Sequence, residues 1–153
     1  MKKNYDVGVV ATGMQLPRQQ YSNDDVIQSS MQARDAAGLP PKELNAQWIA
    51  DNIGIQGRYY FAEDEALDAV SVLAVQQALA TAGWSALDLD FVILASISLF
   101  TEDDSTAIPS VACQIQEQLG AYNAFAYDSL AACSGFLYAM AQGVSFIEGG
   151  MCE

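Results

Sequence analysis

Ala124-Phe125-Ala126-Tyr127-Asp128-Ser129-Leu130-Ala131-Ala132-Cys133-Ser134-Gly135-Phe136 is the stretch on which the fold turns. Residues 124–128 alternate small and aromatic side chains and read as a short strand. Beyond them Phe136, Leu137, Met140, Val144 and Ile147 recur at helical spacing until Gly149-Gly150 ends the run. Cys133 therefore stands where a strand becomes a helix. The positive end of a helix favours a thiolate, which is the nucleophilic form of cysteine. The chain contains no histidine, so the usual base for such a nucleophile is absent and a generic cysteine hydrolase is a poor reading.

Upstream, Asp90 to Ser98 is an apolar run of strand length, of the kind found in a parallel sheet covered on both faces. Between the two strands, Pro109 suits the first residue of a helix, Val111, Ala112, Ile115 and Leu119 form one face, and Gly120 stops it. Ala66 to Ala82 is apolar nearly all round and predicts a helix buried between layers, closed by Gly83. Nearer the start, residues 4–12 predict a strand broken by Gly13 and Pro17. A helix is expected from Ser22 or Asn23 to about Ala37, and another from Pro41 to about Asn52, stopped by Gly54. Strands alternating with helices predict a layered α/β fold with right-handed crossovers. Ligands of such sheets gather at the carboxyl ends of strands, where Cys133 lies.

The chain has 153 residues, 52% of them hydrophobic, which is enough for one domain with a sizeable core. All six basic residues fall within the first 58 positions, whereas residues 59–153 carry thirteen acids and no base. Nucleic acid and anionic membrane surfaces are poor partners for that segment. No apolar run approaches the ~20 residues that span a bilayer, and the start lacks the pattern of a signal peptide. A cytoplasmic protein is the expectation. Cys113, Cys133 and Cys152 lack the spacing of a zinc or redox pair and read as free thiols. Cys113 belongs on an apolar helix face, and Cys152 at the end of the chain carries no assigned role. The acidic groups Glu63-Asp64-Glu65 and Glu102-Asp103-Asp104 read as solvated, without support as metal ligands.

Longer motifs carry a resemblance. Ile108-Pro109-Ser110-Val111-Ala112-Cys113-Gln114-Ile115-Gln116-Glu117-Gln118-Leu119-Gly120, with Tyr127-Asp128-Ser129-Leu130-Ala131-Ala132-Cys133-Ser134-Gly135-Phe136, resembles β-ketoacyl-[acyl-carrier-protein] synthase III of the thiolase superfamily. The resemblance extends through Gly13, Leu16-Pro17, Asn23-Asp24, Trp48-Ile49, Gly54-Ile55 and Arg58 in the family's order. It implies a thiolase-like α/β fold in which residues 1–153 are the N-terminal domain, most of the first half of a duplicated α/β/α/β/α arrangement. The C-terminal half would be missing.

The resemblance further implies an acyltransferase in which Cys133 accepts an acyl group from acyl-CoA. A decarboxylating malonyl-[acyl-carrier-protein] would then attack the acyl-enzyme, assisted by a histidine and an asparagine from the other half. Trp48 and Arg58 would hold the coenzyme A, which is a substrate; no permanently bound cofactor or metal is expected. Ile108 stands where the family often has a phenylalanine lent to the acyl pocket of the partner in a homodimer, and a smaller side chain there favours longer or branched acyl groups. Asn52 replaces an arginine common in the family, which removes one cation from the coenzyme site. Physically, the Cys133 N–H at a helix start is placed to serve an oxyanion hole. Asp128 reads as structural, since a carboxylate beside a thiol disfavours the thiolate. Trp48 has packing as its alternative, and Arg58 an ordinary ion pair. Two other functional classes stand beside the fatty-acid enzyme: a relative serving secondary metabolism, and a non-catalytic or split binding or dimerisation module.

Overall fold

The computed structural model describes residues 6–97 and 108–152. Ser98 at the end of the expected strand, and the acidic loop Glu102-Asp103-Asp104, lie outside the described residues. The chain divides into two compact units, Leu16–Glu65 and the pair of segments Met1–Gln15 and Ala66–Glu153.

Within Leu16–Glu65, β1 (Gln19–Ser22) pairs antiparallel with β2 (Gly57–Tyr60), placing Tyr21 opposite Arg58. Tyr21 and Tyr60 meet edge to face at 5.1 Å between ring centroids. Between the strands run α1 (Asn23–Ala36) and α2 (Ala46–Ile53). A capping box starts α1: Ser22 accepts from the Asp25 N–H, and the Asp25 carboxylate accepts from the Ser22 N–H at 2.8 Å. Helix α2 begins at Ala46, five residues later than the sequence predicts from Pro41. Its start is decided by Asn45, whose side chain accepts the Trp48 N–H at 3.0 Å and so outcompetes the earlier proline. Gly54 ends α2 at φ 82°, a left-handed conformation that suits a residue without Cβ.

In the other unit, β3 (Phe91–Ala95) and β4 (Phe125–Ser129) run parallel, with α4 (Val111–Leu119) between them in sequence. Helix α3 (Leu67–Ala82) precedes them and α5 (Gly135–Glu148) follows. Strand alternation sorts the contacts onto two faces. Val92 and Leu94 pack against a core of Val72, Val111 and Ile115 from α3 and α4. On the opposite face Phe91 meets Phe146 of α5 at 5.5 Å between ring centroids, and the Tyr127 hydroxyl bonds Gln142 of α5. The pair of strands is thus covered on both faces, as expected.

Three other expectations are corrected. Of the strand expected over residues 4–12, residues 4 and 5 lie outside the described residues and 6–12 form no strand: among the described residues no strand pairs with them, and Val9 and Val10 are 68% and 64% exposed. Alternating apolarity without a ladder partner leaves backbone groups with no reason to extend. Helix α3 is not buried all round; Val70 and Val72 are buried, whereas Leu73 is 47% exposed. Helix α4 starts at Val111 and not at Pro109, because Ser110 supplies the cap, accepting from the Cys113 N–H. Helix α5 bears out the helical spacing read from Phe136 to Ile147. Gly135, Gly143 and Phe146 approach the strands, while Phe136, Leu137 and Met140 are exposed. A Cβ at Gly143 would lie 3.4 Å from the Phe91 ring, so glycine lets the helix lie close to β3.

Candidate active site

Strand β4 ends at Ser129, and a single turn of 3-10 helix, Ala132–Ser134, carries the chain into α5. The expected helix start at Cys133 is therefore this tighter turn, with α5 proper beginning at Gly135. Ala132 takes φ 45°, a left-handed conformation that costs an alanine on the order of 1 kcal/mol. Sharp reversal at that residue turns the next one, Cys133, outward, and the thiol is exposed. The turn closes through the Ser134 N–H to Ala131 O at 3.0 Å and the Gly135 N–H to Ala132 O. Neither bond uses the Cys133 N–H, and among the described residues that donor, beside its own sulfur, meets no acceptor. Gly135 is buried; a Cβ there would meet Ser129 O at 3.4 Å and the Ala95 side chain at 3.6 Å. The turn is thereby seated on the ends of both strands.

Asp128, five residues before the thiol, faces α4. Its two carboxylate oxygens accept the N–H groups of Val111 and Ala112 at 3.2 and 2.8 Å. This occupation as a helix cap agrees with the structural reading. Cys113 is half-buried on the same side of the strand: its thiol donates to Ala126 O at 3.6 Å and accepts from the Ser110 hydroxyl at 3.3 Å. Cys152 is buried, with 5% exposure, and burial followed by the charge of Asp90 pushes its thiol above the usual range. Sequence reading gave this cysteine no place; tertiary packing makes it part of the core.

Ile108 lies two residues before the Ser110 cap and is 82% exposed. Trp48 occupies the third position of α2 and is 58% exposed, so its indole is not consumed by packing within its unit. The Asn52 side chain folds back to donate to Trp48 O at 3.0 Å and so remains on the helix. Arg58, half-buried on β2, donates from Nη1 to the Asn23 carboxamide oxygen at 2.9 Å. Among the described residues the ion pairs are those of Arg18 with Asp64 and Glu65, and Arg58 forms none. Cys133 and Ile108 belong to one unit, Trp48 and Arg58 to the other.

Asn23 was missed as a functional candidate. It is 6% exposed and also donates to Ile55 O at 2.7 Å, tying α1 to the segment that follows α2. The available signal was an asparagine immediately after a serine cap, in a position where a helix gains little from it. Among the described residues no group of three or more His, Cys, Asp or Glu is arranged to hold a metal, and no helix is long and apolar enough to cross a membrane.

No family model matches the chain. A β-ketoacyl-[acyl-carrier-protein] synthase III of Streptococcus sanguinis is 37% identical over 134 residues, covering 88% of this chain and 36% of the relative. A solved structure of 3-oxoacyl-[acyl-carrier-protein] synthase III from Aquifex aeolicus superposes with TM-score 0.74 at 32% identity, over 92% of this chain and 40% of that one. The priming β-ketosynthase of the R1128 polyketide pathway also reaches TM-score 0.74, at 26% identity, over 93% of this chain and 37% of its own. The fold is thiolase-like. The chain spans less than half the length of these relatives.

Proposed function

We propose, for a chain that belongs by sequence to the β-ketoacyl-[acyl-carrier-protein] synthase III family, that Cys133 is the acyl-accepting nucleophile. The single observation that carries this reading is the Cys133 turn itself. An exposed cysteine stands at the carboxyl end of a parallel strand, ahead of a helix, with its own N–H uncommitted among the described residues. The thiolate attacks the carbonyl carbon of an acyl-CoA, a carbon–sulfur bond forms, and coenzyme A leaves as its thiolate. During attack, negative charge collects on the carbonyl oxygen, where the Cys133 N–H is a suitable donor. Trp48 offers an exposed ring to stack on adenine, and Arg58 a cation for a phosphate.

Condensation follows when malonyl-[acyl-carrier-protein] loses carbon dioxide and its carbanion displaces the cysteine from the acyl group. The chain has no histidine, and on this reading the histidine and asparagine that assist the step belong to a C-terminal half outside residues 1–153. Phe136, Leu137 and Tyr138, exposed at 67%, 66% and 55% on α5, supply apolar surface for such a covering. Incubation with acyl-CoA followed by intact mass spectrometry tests the first step. A mass gain equal to the acyl group, absent in Cys133→Ala, is expected; no gain, or one that survives the substitution, overturns the assignment.

A second reading, transfer of a starter acyl group in secondary metabolism, draws on the similarity to the polyketide priming enzyme and on the exposed Ile108. Comparing short, branched and long acyl-CoA donors in the same assay separates it from a fatty-acid role.

A further inference from the structure

We infer that Asn23 is a positioning residue for the anionic end of the acyl donor, acting through Arg58; the inference rests on the reading of Arg58 as a coenzyme A contact. Asn23 is the first residue of α1 and is 6% exposed. Its carboxamide uses both ends. Nδ2 donates to Ile55 O at 2.7 Å and to Ala46 O at 3.4 Å, and Oδ1 accepts from Arg58 Nη1 at 2.9 Å. Two carbonyls on one side and a guanidinium on the other admit one amide orientation, since the reverse would set oxygen against oxygen and donor against donor.

The consequences fall on α2 and β2. Ala46 is the first residue of the helix that carries Trp48, and Ile55 follows Gly54, which ends it. Asn23 thus holds both ends of α2 and the cation of β2 with one side chain. Among the described residues Arg58 has no carboxylate partner. Its charge has no carboxylate counterion there, and one donor of the planar, five-donor group is held by Asn23 while the others meet no acceptor among the described residues and can take an anion. A pinned guanidinium loses less freedom when a phosphate docks.

The test uses the full chain with Trp84→Phe, leaving Trp48 as the sole tryptophan, and titrates fluorescence with adenosine bisphosphate and separately with pantetheine. Asn23→Ala is expected to weaken adenosine bisphosphate roughly tenfold, the size of one lost charge-assisted hydrogen bond, and to leave pantetheine unchanged. Adding Asn23→Ala to Arg58→Ala is expected to cost clearly less than it costs in the parent, the remainder reflecting its hold on α2. Parent-like affinity in Asn23→Ala, or full additivity with Arg58→Ala, overturns the proposal. Absence of binding by the parent chain overturns the coenzyme reading itself, and the proposal with it. NMR of the Arg58 guanidinium separates the two failures: slow bond rotation in the parent, lost in Asn23→Ala, is the expected signature, and equal signals in both overturn the positioning role without reference to any ligand. Asn23→Ser, which keeps one hydrogen-bonding group at the helix start, replaces the alanine variant if that one unfolds.

Discussion

Asp128 of β4 and Ala112 of α4 are joined directly: the carboxylate Oδ1 accepts the Ala112 N–H at 2.8 Å, while Oδ2 takes that of Val111 at 3.2 Å. One side chain thereby satisfies two of the amides left open at the start of α4, and its negative charge sits at the positive end of the helix.

Replacing Asp128 by alanine should cost about 1–2 kcal/mol, within the range of lost helix caps, and asparagine should cost less because it keeps an acceptor. Urea unfolding followed by circular dichroism measures both. If Asp128 instead served Cys133 chemically, Asp128→Asn would alter the alkylation rate of that thiol; no change is expected.

The three thiols should separate by reactivity. Cys133 is exposed, Cys113 is half-buried and hydrogen-bonded, and Cys152 is buried with its thiol held above the usual range. A higher pKa leaves less thiolate at a given pH, so Cys152 should react last and Cys133 first. Timed iodoacetamide labelling with peptide mass mapping gives the order, and early labelling of Cys152 in the folded chain would contradict it.

Acid should act through Glu65. The N–H groups of Ala62 and Arg18, each 2.9 Å from Oε2, hold this carboxyl below its ordinary value of 4.5. A carboxylate with a depressed folded pKa adds stability that is present above the unfolded value and is lost as pH falls through the folded one. Glu65→Gln should therefore be less stable than the parent at pH 7 and nearly equal to it near pH 2. Parallel urea series at the two pH values test this, with an undiminished gap in acid as the contrary result.

Gly13 lies against the backbone of α3. A Cβ added there would be driven into the Ala74 carbonyl and would come within 2.8 Å of Ala78 N. Gly13→Ala should therefore destabilise by roughly 1–3 kcal/mol, a cost typical of overpacking against atoms that cannot yield. Thermal unfolding compared with Gly8→Ala, where nothing lies within 4 Å, supplies the control.

What the amino-acid sequence determined by itself is the local and the chemical. Helix α1 with its serine cap, the glycine stops at Gly54, Gly83 and Gly120, the strands at Phe91–Ala95 and Phe125–Ser129, and the Cys133 turn all follow from periodicity, caps and breakers within a few residues. The family, too, was legible, because it rests on residue types at fixed spacing. What only the tertiary structure decided depends on partners distant in the chain. Residues 6–12 have strand-like composition but no described neighbour to complete a ladder; Asn45 and Ser110 displaced prolines as helix starts; and α5 set two glycines, Gly135 and Gly143, against the strands. Asn23, Asp128 and Cys152 took their roles from contacts across 32, 16 and more residues, which no local pattern records. Backbone preferences are satisfied locally, whereas burial and the pairing of polar groups are settled only when distant segments meet.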